Sequence, residues 1–293
     1  MTFSRIAVIF NPNAGRRRER QAAVDRFAAL LTEAGSTVDI CPTQHPNHAT
    51  ELAREAVARG CDLVVANGGD GTMNEVLQAL VGTEVALGFW PGGTANVLAA
   101  EIGFPRDVNQ VVERIRRGEV RRVTVGRANN RYFLLMAGVG LDAAVSAAVD
   151  PGLKKTLGKA AFGIAALKYI WNWDLQPVRV QLPGEEVVGR FVVAGNARSY
   201  GGGFKLTPAA DLSDPDLDIC IFQSGNRLEY LKYALAAVAG WHRGMENVVY
   251  RKVRAARIES AAGEDAPVQL DGEVTGGLPL QLEAIPEAVK LLV

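Results

Sequence analysis

The sequence predicts an α/β unit followed by a mostly antiparallel β unit. Three observations carry this reading. The first 120 residues alternate short strand-like runs with helix-spaced segments. From about Val123, strand-like runs follow one another directly, joined by Gly-, Asn- and Asp-rich turns. The chain has 293 residues, about two domains at roughly 150 residues each. The units are assigned to 1–123 and 124–285. The short apolar end, 286–293, is a candidate to return to the first unit.

In order, RIAVIF at 5–10 is a strand entering a turn at Asn11-Pro12-Asn13-Ala14-Gly15. Helical spacing over 19–34 is stopped by Gly35, and 37–41 is a second strand. A second helix over 48–59 ends at Gly60. DLVVA at 62–66 is a third strand, followed by Asn67-Gly68-Gly69-Asp70-Gly71-Thr72 and a helix over 73–80. The strand at 85–90 runs into Pro91-Gly92-Gly93-Thr94, and helices follow from Asn96 and over 108–117. Such alternation predicts a parallel sheet with helices on both faces. In the second unit, strands are expected at 122–126, 131–137, 178–182, 187–194, 218–222, 253–260, 268–270 and 278–283. Helical insertions are expected at 153–173 and 227–242.

Composition excludes several classes. There are 32 basic and 32 acidic residues, 14 of each up to Thr124 and 18 of each after it. A balanced sum rules out a polybasic nucleic-acid arm or an acidic tail as the main theme, so no nucleic-acid partner is expected. Three scattered cysteines, Cys41, Cys61 and Cys220, argue against a disulfide framework. No apolar run reaches the roughly 18 residues of a membrane span, and 1–10 reads as a strand. The expectation is a cytoplasmic protein able to work at a membrane surface.

The strongest chemical signal is Gly68-Gly69-Asp70-Gly71-Thr72, followed by Asn74 and Glu75. It lies where a buried strand ends and a helix begins, the edge at which open α/β sheets bind ligands. Glycines there let backbone N–H groups approach phosphate oxygens, and a helix N-terminus favours negative charge. Asp70 would repel phosphate unless it holds Mg²⁺ or orders the turn; a tight turn with a helix cap is the plainer reading. Pro91-Gly92-Gly93-Thr94-Ala95-Asn96 repeats the pattern on the next strand. With Asn11 after the first strand and Thr43 after the second, four strand ends present Gly, Asn and Thr at one rim. A polyphosphate nucleotide is the natural ligand. Neither a Walker A sequence nor GxGxxG after the first strand occurs.

NPNAG, GGDGTMNEV and PGGTANVLA, in this order, resemble the diacylglycerol kinase catalytic-domain family, which is related to sphingosine and ceramide kinases. AGVGLD at 137–142, Asn196 with YGGG at 200–203, TPAA at 207–210 and Asp271-Gly272-Glu273 resemble further family motifs. The resemblance spans nearly the whole chain. It implies a phosphofructokinase- or NAD kinase-like first domain, a β-sandwich second domain and a nucleotide held between them. It also implies that Asn11, Thr43, Asn67, Gly68, Gly69, Asp70, Gly71, Thr72 and Thr94 contact ATP, and that Asp271 is the general base. Phosphoryl transfer to an alcohol needs a carboxylate near the hydroxyl proton and Mg²⁺ over the phosphates. An Asp-Gly hairpin turn is the local alternative for Asp271, and Glu273 is a candidate to assist.

The acidic run Asp211, Asp214, Asp216, Asp218 has oxygen-ligand spacing. The resemblance implies a structural Mg²⁺ there, held partly through backbone carbonyls, with Asp214 as the matching acid and Asp211 and Asp216 in the neighbouring ligand positions as candidates to contribute carbonyl oxygens. Pro215 replaces a glycine of the usual pattern and removes its backbone freedom. A solvated acidic turn is the alternative. Residues 151–173 hold Lys154, Lys155, Lys159 and Lys168, no acid, and many apolar and aromatic residues. That composition suits peripheral contact with an anionic membrane, or a helix packed on the β unit. Arg16, Arg17, Arg18 and Arg20 read as a solvated helix start, with contact to phosphate or anionic headgroups as the alternative, and His45, His48 and His242 read as ordinary. The implied activity is an ATP- and Mg²⁺-dependent lipid kinase, acting on a lipid such as diacylglycerol, with oligomerisation open. The competing classes are an NAD kinase-like phosphotransferase and a non-catalytic nucleotide-binding regulator.

Overall fold

A computed structural model describes residues 3–12, 17–93, 95–140, 176–200, 204–263 and 266–293. The chain divides into two compact units, Met1–Val123 with Glu287–Val293, and Thr124–Pro286.

The first unit opens with strand β1 (Arg5–Phe10) and helix α1 (Arg17–Glu33). Strand β2 (Thr37–Pro42) and helix α2 (His48–Ala58) follow. Strand β3 (Leu63–Gly68) leads to helix α3 (Asp70–Leu80), and β4 (Ala86–Pro91) leads to α4 (Val97–Glu101) and α5 (Val108–Arg117). The strands run β2-β1-β3-β4, all parallel. Both β3 and β4 are buried along their whole length, as a sheet covered on both faces requires. Phe10 pairs with Pro42 on one side and Asn67 on the other, and Gly68 pairs with Pro91. The four strands therefore end at one edge.

Helix α3 begins earlier than its apolar spacing suggests. Gly69 is the extended N-cap and Asp70 is already helical, with Met73 donating its N–H to the Gly69 carbonyl at 3.2 Å. Asp70, Gly71 and Thr72 thus form the first turn of the helix rather than a loop.

The second unit takes β5 (Val120–Ala128) from its fifth residue onward, then β6 (Arg131–Phe133) and β7 (Met136–Val139). There follow β8 (Val178–Leu182), β9 (Glu185–Gly189), β10 (Phe191–Gly195) and β11 (Leu217–Phe222). Helix α6 (Arg227–Ala239) precedes β12 (Val248–Val253), β13 (Ala255–Ser260), β14 (Val268–Leu270), β15 (Glu273–Gly276) and β16 (Leu280–Leu292). One antiparallel sheet has the order β12-β11-β10-β7-β14-β15. In the other, β13 lies between β16 and β8, with β9 outermost. Their inner faces share one apolar core that includes Val139, Val192, Ile219 and Val268 from the first sheet and Val180, Ile258 and Leu282 from the second. This is a β-sandwich.

Three runs expected as single strands are each broken at a sheet change. The run 187–194 divides at Arg190, with β9 pairing β8 and β10 pairing β7 and β11. At Arg254 the run 253–260 divides into the end of β12 and β13, which lie in different sheets. Residues 131–137 divide into β6 and β7 in the same way. At Gly189, a Cβ would stand 2.4 Å from Ile221 Cγ2, so only glycine lets this corner close. Conversely, β16 runs through Pro286 and Glu287 as one strand, and Lys290 and Leu291 pair in parallel with Ala86 and Leu87.

Candidate functional site

In the first unit, the rim is built by two glycine turns in direct backbone contact. A Cβ on Gly93 would lie 2.6 Å from Gly69 Cα, and the Gly92 N–H donates to the Gly68 carbonyl at 2.7 Å. Gly68 is also pressed on by Thr72, whose Oγ1 would be 2.4 Å from a Cβ there. Asn96, left-handed with φ 47°, closes the second turn: its Oδ1 accepts from Gly93 N and its Nδ2 donates to Gly93 O.

Asp70 does the second of the two jobs the sequence allows it. Its Oδ1 accepts the Leu98 N–H at 3.4 Å, at the start of α4. Burial raises its pKa, opposed by backbone N–H donors that include Val97 and Leu98. The carboxylate orders the second turn from the first. Glu75 likewise caps α2, accepting from Ala49 N at 3.1 Å, while its carbonyl accepts from Thr50 Oγ1. Asn67 is 4 % exposed and its Nδ2 donates to the Trp90 carbonyl. Its Oδ1 is buried without a hydrogen-bond partner. Thr43 N–H donates to Phe10 O, which fixes Thr43 beside Asn11 at the same edge. Asn11, Thr43, Asn67 and 68–72 are thus together at the edge, whereas Thr94 lies outside the described residues.

Arg20 is not on a solvated helix start. Its Nη2 donates to the Gly92 carbonyl at 2.9 Å and its Nη1 to Asn11 O at 3.4 Å. Burial lowers its pKa. It ties the turn after β1 to the turn after β4 and brings a cation to the rim. An (i) to (i+72) contact leaves no trace in local spacing.

In the second unit, Asp271 and Gly272 form the two-residue turn between β14 and β15, with φ 49° and 89°. Positive φ at both positions is what a type I′ hairpin requires. The hairpin alternative for Asp271 is therefore realised in the backbone, while its side chain has a separate task. Asp271 is 8 % exposed; Oδ2 accepts Leu134 N at 2.9 Å, and Oδ1 accepts Leu135 N at 2.8 Å and Met136 N at 3.0 Å. Asn196 grips the carbonyls of the same segment. Its Nδ2 donates to Leu134 O at 2.8 Å and Thr124 O at 2.7 Å, and its backbone N–H to Leu135 O. Glu273 is engaged with Arg131 at 2.9 Å.

The acidic run does not converge as a set of carboxylate ligands. Asp214 pairs with Lys252 and caps the Asp216 N–H, Asp216 lies 3.7 Å from Arg254, and Asp211 lies 3.9 Å from Arg198. The Pro215 carbonyl accepts from Arg254 at 2.7 Å. Lys252, Arg254 and Arg198 thus lie beside the three carboxylates. Among the described residues, the one set of three side chains spaced to share a metal ion is His45, His48 and Glu51, near Thr43. Its rings stack 4.4 Å apart and His48 Nδ1 accepts Gln44 N–H, so this arrangement already uses one imidazole nitrogen. The basic, aromatic segment 151–173 lies outside the described residues.

Residues 5–128 match the family described as diacylglycerol kinase catalytic domain, and 136–293 match the YegS C-terminal NAD kinase beta sandwich-like domain. The Bacillus subtilis (strain 168) protein named diacylglycerol kinase is 30% identical, with 94% of this chain and 91% of that protein covered. The chain belongs to the diacylglycerol kinase family. A Mycobacterium tuberculosis (strain H37Rv) diacylglycerol kinase is also 30% identical, over 98% of this chain and 94% of that protein. A crystal structure of a Bacillus anthracis diacylglycerol kinase superposes with TM-score 0.81 at 26% identity, covering 100% of this chain and 98% of that one. Diacylglycerol kinase family membership makes this chain a lipid kinase, and it agrees with the α/β-plus-sandwich architecture. Among the described residues, no helix is long and apolar enough to cross a membrane.

Proposed function

We propose that this lipid kinase transfers the γ-phosphoryl group of ATP, with Mg²⁺, to a hydroxyl of diacylglycerol or a closely related lipid. The observation that carries the nucleotide half is the contact between the two glycine turns at the N-terminus of α3. Side chains there would fill the space that phosphate oxygens need. The first turn of α3 contributes orphan N–H groups, and Arg20 contributes a cation. The buried, unpartnered Asn67 Oδ1 is an acceptor suited to a nucleotide N–H or hydroxyl. These features fit ATP.

The donor set fits Mg²⁺ less directly. The carboxylate nearest the phosphate turns, Asp70, is committed to the α4 N–H groups. When bound with ATP, Mg²⁺ supplies neutralisation of charge on the phosphates and keeps several waters. Asp271 is proposed to accept the lipid hydroxyl proton as the hydroxyl oxygen bonds to γ-phosphorus and the bridging oxygen leaves with ADP. The knot formed by Leu134, Leu135, Met136 and Asn196 fixes its orientation, so little reorganisation remains for the transfer. Its diacylglycerol specificity is supported by the relatives' names.

Incubation of the protein with ATP, Mg²⁺ and separate acceptors tests the proposal. Phosphate appearing in diacylglycerol and not in NAD supports it, and phosphate appearing in NAD alone refutes it.

A further inference from the structure

Gln269 is the middle residue of β14, and its side chain is fully buried. Its neighbours Val268 and Leu270 belong to the apolar core between the sheets. At a period of two, Gln269 therefore lies on the opposite face of its sheet. Across β7 the residue paired with it is Gly138, which puts no side chain in its way. Asp271 follows two residues on and continues the ladder, its N–H donating to Met136 O at 2.9 Å. A buried amide is costly unless it is hydrogen-bonded, so its partner shows what it does.

Gln269 Oε1 accepts the Gly272 N–H at 2.6 Å. Leu270 and Glu273 face each other as the last pair of the β14–β15 ladder, so the Asp271–Gly272 peptide is the crown of the hairpin. The central peptide of a two-residue turn takes no part in the ladder. Gln269 reaches along the strand and bonds it instead. That bond fixes the plane of the peptide, and with it the direction in which Asp271 leaves the turn. Asp271 sits at φ 49°, a left-handed conformation that a residue with a Cβ keeps only where its surroundings enforce it. On its N-terminal side the enforcement comes from Met136 O and from the N–H groups of Leu134, Leu135 and Met136 on its carboxylate. On its C-terminal side it comes from Gln269.

We infer that Gln269 is a positioning residue for phosphoryl transfer: through the Gly272 N–H it locks the turn that carries Asp271, so that the carboxylate meets the lipid hydroxyl at a fixed angle. The inference rests on the reading of Asp271 as the base and extends it to the backbone beneath that side chain. A catalytic group displaced by about 1 Å loses much of the advantage of a preset geometry. The residues proposed to bind the nucleotide lie in the first unit. Loss of the lock should therefore appear in the chemical step and not in ATP binding.

The test is a double-mutant cycle on the whole protein, read as transfer of labelled phosphate from ATP to micellar diacylglycerol. Gln269→Met keeps the length of the side chain but has no acceptor oxygen. It should lower kcat by about 10–10²-fold and leave the KM for ATP within about twofold of the wild type. Gln269→Asn keeps the amide but loses the reach. It should lower kcat in the same way, and it decides the matter if the Met variant does not fold. In an Asp271→Asn background either change should lower the remaining rate by less than about threefold, because the group it positions is gone. Undiminished kcat in both single variants overturns the inference. So does an equal loss with and without Asp271, which an amide that merely fills space would give. A raised KM for ATP at unchanged kcat overturns it as well. The kinase reading fails separately, through a wild type that phosphorylates no lipid; an active wild type with any of the three results above refutes the role of Gln269 alone.

Discussion

Gly93 rests against Gly69, so close that a Cβ on Gly93 would fall 2.6 Å from the Gly69 Cα. The obstructing atom is backbone, which cannot rotate aside as a side chain can. Gly93→Ala should therefore push the two phosphate turns apart. The expected result is a stability loss of about 1–3 kcal/mol together with a severe loss of ATP affinity, both measurable by calorimetry. Unchanged ATP affinity would show that the contact does not shape the nucleotide site.

Asp70 couples the same turns electrostatically. Burial raises its pKa, so the folded state binds a proton more readily than the unfolded chain does. The cost of its charge is present at neutral pH and is relieved as pH falls toward its folded pKa. Asp70→Asn abolishes this titration while keeping one acceptor oxygen for the Leu98 N–H. Wild-type stability relative to Asp70→Asn should therefore rise as pH is lowered from 7. Thermal melts of both proteins across that range check the sign.

Glu84 offers the opposite sign. Hydrogen bonds from Lys290 and then Arg122 hold its pKa at about 2. Lys290 is 2.8 Å away, so the pair links the end of β16 to the segment before β4. A depressed carboxylate stabilises above its unfolded pKa, and the contribution is lost as pH falls toward about 2. Glu84 is exposed, so the effect should be modest and shrink in high salt. Denaturant titrations of Glu84→Gln from pH 5 to acid should show a flatter acid limb than the wild type.

The architecture was legible because hydrophobic periodicity reports which residues face a core. Helix stops at Gly35 and Gly60 and the DLVVA run before Gly68 made the parallel unit readable. Periodicity is blind to which sheet a strand joins. The breaks at Arg190 and Arg254 therefore lay hidden inside continuous strand-like runs, and the strand expected to stop at 283 continues as β16 to Leu292. The site was legible where backbone freedom itself is the chemistry, as at Gly68, Gly69 and Gly93. It was illegible where a long-range partner decides the role. Arg20 finds carbonyls of Asn11 and Gly92, and Asp214 finds Lys252, at separations no local pattern encodes.

Asp271 carries the central claim. Replacing it by Asn keeps the shape but turns an acceptor into a donor facing one of the backbone N–H groups of Leu134, Leu135 or Met136. A stability loss of about 1–3 kcal/mol is expected, leaving a folded protein at room temperature.

The most direct measurement is transfer of labelled γ-phosphate from ATP into a total lipid extract, with the product identified, for the wild type and Asp271→Asn. The account predicts labelled phosphorylated diacylglycerol from the wild type. It predicts a rate lower by about 10²–10⁴ in the variant, at unchanged ATP affinity. Label in no lipid, or undiminished transfer by Asp271→Asn, would contradict it.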